Sequence, residues 1–208
     1  MRINSKWHKT RRKDNVSREK TPEELAGAAG FIAWRIAMKH MDEIEEAGFK
    51  LASGEQRFEV LSEFLVYFVQ VVDREVFLRL EEDQRAPSVT AFALHLAGTL
   101  EDNQIELLGP GEYRQAFIER LNREIPDYAE LGYGEDGPGY RFMRYLGEKV
   151  LEAIQREPGE QANRWVIDQV MEIEAPDATD ALRKTLDDLL RGQSPREPCG
   201  QIPEGGVS

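Results

Sequence analysis

The sequence predicts an all-α, single-domain bundle of about six or seven helices, and three observations carry that prediction. Apolar residues return at three- and four-residue steps in successive segments, which is the spacing of one helix face. Gly and Pro punctuate the chain between those segments. A chain of 208 residues that is 40% hydrophobic can bury one substantial core and is short for two.

The elements follow in order. Thr21-Pro22-Glu23-Glu24 reads as a helix start, with Thr21 as N-cap, Pro22 in the first turn and acids facing the positive end of the dipole. This helix is expected to run to about Ala47 and stop at Gly48. The stretch from Glu55 to Arg85 contains Phe64-Leu-Val-Tyr-Phe-Val-Gln-Val-Val72, which could pass for a buried strand on propensity alone. Its polar residues decide the matter, because Glu59, Glu63, Gln70, Arg74 and Glu81 recur at four- and seven-residue spacings, as on the solvent stripe of a central helix. A third helix is expected to open at Pro87-Ser88 and close at Gly109-Pro110-Gly111. A fourth should span Glu112 to Ile125 and end at Pro126, and a fifth Tyr140 to Arg156, with an irregular acidic loop between them. Two shorter helices complete the set, Gln161 to Glu174 and Ala178 to Arg191.

Charge divides the chain. Residues 1–20 carry eight Lys or Arg against two acids, a net +6, and subtracting that from the formal −12 leaves −18 on the rest. The expected organisation is a basic arm over 1–20, a helical domain over 21–192, and a Pro/Gly-rich disordered tail over 193–208. The single cysteine, Cys199, excludes an intrachain disulfide and the usual cysteine-based zinc spacings, which fits a cytoplasmic setting. The longest nearly uncharged apolar run, Leu25 to Met38, is too short to span a bilayer. Arg11-Arg12 is not followed by the apolar stretch that a twin-arginine signal requires.

No motif names a reaction. Gly132-Tyr133-Gly134-Glu135-Asp136-Gly137 has the letters of a dinucleotide loop, but no strand precedes it and its acids would repel phosphates, so an acidic turn is expected and no cofactor is assigned. Nucleophile-elbow, zinc-protease and phosphate-loop motifs are absent. Helical bundles can carry metals between facing helices. The candidate ligands here are His40 with Glu43, three residues on, and His95 with Asp102, if packing brings their helices together. His40 lies on the apolar stripe with Ile36 and Ile44, where a histidine is more often a core residue bonded to a neighbour, so no metal is assigned. Glu63 and Asp73 flank the most apolar part of the second helix; the periodicity turns Glu63 outward, and a structural salt bridge is expected of Asp73.

The remaining candidates are surfaces for partners. Lys6, Trp7, Lys9, Arg11, Arg12 and Lys13 interleave cations with an aromatic ring, which suits nucleic acid, an anionic membrane or an acidic protein through the arm only, since the acidic body repels polyanions. Tyr128, Tyr133 and Tyr140 in the loop 126–140 suit a protein partner. Gly27 and Gly30 allow close helix approach, within the domain or in a homo-oligomer. The function expected is that of a non-enzymatic interaction or regulatory protein. The alternatives are a metal-binding protein or enzyme using His/carboxylate ligands, and a nucleic-acid-binding accessory acting through the arm.

Overall fold

The computed structural model describes residues 21–51, 53–77, 79–154 and 164–191; the predicted arm with its six candidate residues, and the predicted tail with Cys199, lie outside them. The described chain is an all-α bundle: α1 (Pro22–Glu46), α2 (Gly54–Phe77), α3 (Glu82–Leu108), α4 (Tyr113–Ala129), α5 (Tyr140–Ile154), α6 (Trp165–Gln169) and α7 (Ala175–Leu190). A two-residue antiparallel ladder, β1 (Tyr133–Gly134) with β2 (Gly137–Pro138), sits between α4 and α5. No helix among the described residues is long and apolar enough to cross a membrane.

The first helix begins as its sequence dictates. The Glu24 amide donates to the Thr21 hydroxyl at 3.2 Å and the Thr21 amide donates to the Glu24 carboxylate at 3.0 Å, a reciprocal capping box. It ends at Gly48, whose φ of 97° an L side chain rarely adopts. The central helix is α2, which packs against α1, α3, α4, α5 and α7. Seventeen of its 24 residues are buried, so it has core on every side rather than a solvent stripe. Burying each large side chain such as Phe64, Leu65 or Phe68 stabilises the fold by roughly 1.5–3 kcal/mol.

That envelopment corrects one expectation. Glu63 and Gln70, placed on a polar stripe by periodicity, are both buried, because the α3–α4 side of the bundle covers the face that a lone amphipathic helix would leave wet. Three helix boundaries also shift. The second helix stops at Phe77 and α3 starts at Glu82, before Pro87; the Arg85 guanidinium grips Asp73 through Nε–Oδ1 (3.1 Å) and Nη2–Oδ2 (2.8 Å), tying the first turns of α3 back onto α2. Asp73 thus forms the structural ion pair expected of it.

The fourth helix runs through Pro126 to Ala129. Pro126 and Asn122 are exposed, so water can serve the carbonyl that loses its donor, and the extra turn carries Tyr128 into the core. Near the C-terminus, α6 and α7 form one run joined by a π-helical turn, Val170–Glu174, where the Ala175 amide reaches back five residues to the Val170 carbonyl. Pro176 follows directly and cannot donate to the Glu172 carbonyl; the widened turn accommodates its ring where a regular one would crowd it. Gly147 lets α5 and α6 touch, since a Cβ there would lie 2.9 Å from the Ile167 carbonyl oxygen.

Candidate functional site

The π-helical turn positions the most chemically distinctive cluster. It directs Glu174, 1% exposed, inward against His40 of α1, also 1% exposed. His40 Nδ1 lies 2.6 Å from Glu174 Oε2 and 3.0 Å from Glu43 Oε2, one turn along the same helix. Since carboxylates only accept, Nδ1 carries the hydrogen and is shared between them. The ring is stacked on Phe64 of α2, 6.2 Å between centroids and 18° from parallel. Gln169 fixes the other oxygen of Glu174, Nε2 donating to Oε1 at 2.8 Å. Burial works against the charge on Glu174, but the hydrogen bonds from His40 and Gln169, with the imidazole's charge, outweigh it and hold the carboxyl below its ordinary range. Glu43 is the open side of the cluster, 38% exposed at its side chain and paired with Lys39 Nζ at 2.9 Å. That hydrogen bond raises the Lys39 ammonium above its ordinary value.

One imidazole nitrogen and two carboxylate oxygens therefore lie within 4.8 Å of one another, a donor set that suits divalent first-row cations. Ligands about 2.1 Å from a metal stand about 3.0–3.4 Å apart in octahedral or tetrahedral sites. The Glu43 spacing of 3.0 Å meets this, and Glu174 would withdraw by a few tenths of an ångström as the metal replaced the shared hydrogen.

Of the four candidate ligands, the structure brings His40 and Glu43 together and leaves the other two apart. The His95 ring lies against Gly30, where an added Cβ would be 2.3 Å from Cδ2. Gly30 is ten residues before His40 on α1, about 15 Å at helical rise, so His95 does not join His40. Asp102 is exposed on α3. Gly30 thereby serves packing between α1 and α3, while nothing lies within 4 Å of the Gly27 position.

A second carboxylate centre lies between α2 and α4. Glu63 is buried, its Oε1 2.9 Å from Arg120 Nη1, and its Oε2 has no hydrogen-bond partner; Glu124, also buried, has an orphaned Oε2 as well. The two carboxyls are close enough for each to bear on the other's proton affinity. Desolvation pushes Glu63 up to about 8; Arg120 opposes this and Glu124 reinforces it. Desolvation raises Glu124 too.

The loop tyrosines take different places. Tyr128, expected at a surface, is 1% exposed because α4 continues past Pro126; its ring meets those of Phe142 (4.8 Å) and Tyr145 (4.7 Å). Tyr133 is half-buried and donates to Glu75 Oε1 at 2.7 Å. Tyr140 is 58% exposed. The glycine-rich segment is a short hairpin whose turn carbonyls at Asp136 and Glu135 accept from Arg183 at 2.8 Å each. Comparison with known proteins finds no matching family model, no similar curated protein and no similar solved structure.

Proposed function

We propose that this domain binds a divalent first-row metal cation at His40, Glu43 and Glu174. The observation that carries the reading is the convergence of three ligand atoms of the right chemistry on one partly open point, with a supporting amide, Gln169, behind the buried carboxylate. The acidic composition favours cation capture. Chelator-stripped protein titrated with Co²⁺ or Zn²⁺ is expected to take up one equivalent, with a visible cobalt spectrum. His40→Ala should abolish it. Metal at about 100 times Kd adds about 2.7 kcal/mol of stability, so melting should move up by several degrees. No stoichiometric uptake and no change in melting would reduce the cluster to a buried ionic hydrogen bond.

A second reading, an interaction protein working through the basic arm and the hairpin, draws support from the charge division and from exposed Tyr140 beside the acidic turn. Deleting residues 1–20 should leave melting unchanged and weaken partner capture from native extract in a salt-sensitive way. Capture equal to that of the full chain at low and high salt would count against it. Binding of the arm to oligonucleotides with a steep salt slope would favour the nucleic-acid form of this reading.

A further inference from the structure

A pocket of about 170 Å³ opens between α2, α3 and α4, bordered by Glu55, Glu59, Ser62, Gln104, Tyr113 and Arg120. Its polarity is one-sided. Arg120, the one cation among the described lining residues, is already engaged by the Glu59 carboxylate, so its charge is matched before any ligand arrives. Glu55 adds a further negative charge at the exposed edge. An incoming anion would meet net negative potential and a guanidinium held by a carboxylate.

The lining also contains an acceptor without a donor. Gln104 is more than nine-tenths buried, and its Oε1 has no hydrogen-bond partner. Burying such a group unpaired is unfavourable, and a ligand supplying an N–H would remove that cost. Leu100, Leu108 and Phe117 form the apolar part of the lining. The Tyr113 ring lies so close to Gly111 that a Cβ there would be 2.6 Å from Cζ, and this close approach sets the ring where it borders the pocket. Aromatic faces attract ammonium groups. At about 10–15 Å³ for each water, the volume suits a molecule of several heavy atoms.

We propose that the α2–α3–α4 pocket binds a small organic cation, a short alkyl chain bearing a primary ammonium group. The chain lies against Leu100, Leu108 and Phe117, and the ammonium donates toward Gln104 and the Glu55–Glu59 side. The pocket shares no residue with the His40 centre, so this inference stands or falls apart from metal binding.

The test is calorimetric titration of the full-length protein with n-butylammonium, and with 1-butanol and butyrate as neutral and anionic matches. Saturable one-to-one binding of n-butylammonium is expected, at least tenfold tighter than 1-butanol, with butyrate weaker still. Gln104→Leu should weaken the ammonium at least tenfold. Glu55→Gln, at the exposed edge where folding is not at stake, should weaken it about threefold and decides the matter if Gln104→Leu does not fold. Equal affinity for ammonium and alcohol would overturn the proposal. So would ammonium binding unchanged by the variants, which would locate it on the acidic surface at large.

Discussion

The two buried carboxylate centres of this bundle, Glu174 with His40 and Glu63 with Glu124, have similar burial and opposite electrostatics. Glu174 has both oxygens served, one by an imidazole and one by an amide, and is held below the ordinary carboxyl range. Glu63 has one oxygen on Arg120, the other orphaned, and a second carboxyl beside it, so it is pushed up to about 8. Burial alone therefore does not set the charge state of a carboxyl in this core: it raises both, and the donors aimed at the two oxygens decide whether that rise is overcome.

The comparison breaks most visibly under one substitution made at both centres, glutamate to glutamine. In chelator, Glu174→Gln should cost about 2–3 kcal/mol, the worth of hydrogen bonds to a charged group. Glu63→Gln should instead stabilise by about 1–2 kcal/mol at pH 9, since a neutral amide buries no desolvated charge and can still accept from Arg120. At about 2–4 °C per kcal/mol, differential scanning calorimetry resolves both.

The pH dependence fixes the sign. The folded-state value of Glu63 lies above its unfolded one, so between about 4.5 and about 8 the native state holds a proton that the unfolded state has released. Stability contributed at Glu63 is whole below that window, falls as pH rises through it and levels off above about 8. The gain in Glu63→Gln should vanish near pH 4.5 and be complete near pH 9. A gain independent of pH, or a loss, would mean that Glu63 is ionised in the fold and that donor count is the wrong rule.

How far the sequence foretold this depends on the range of the interaction. The capping box at Thr21 and Glu24 and the stop at Gly48 are local, and they were legible residue by residue. Glu63 stands out in the sequence as a candidate but its direction does not: a polar stripe marks solvent only where nothing else covers that face, and α4 covers this one. Glu174 carried no signal. It lies 134 residues from His40, and its inward aim depends on a π turn that Pro126-like punctuation does not announce, since Pro126 itself is tolerated inside α4. Gln104 was likewise silent, because an orphaned acceptor is a property of packing rather than of spacing.

A third carboxylate, Glu75, sharpens the rule at its satisfied extreme. Glu75 is 1% exposed, with Oε2 on Arg79 at 2.7 Å and Oε1 on both Arg183 Nε at 2.8 Å and the Tyr133 hydroxyl at 2.7 Å. Removing one donor leaves every oxygen still paired. Tyr133→Phe should therefore cost only about 1.5 kcal/mol, the low end for a hydrogen bond to a carboxylate, without the added penalty of an orphaned oxygen. Arg183 also holds the hairpin carbonyls at Glu135 and Asp136, so the turn should keep its place when the phenol is lost. Amide exchange at Gly134 and Gly137 together with a melting curve checks both statements. A loss of 3 kcal/mol or more would show that the phenol is indispensable to Glu75 and that the two guanidinium groups do not substitute for it.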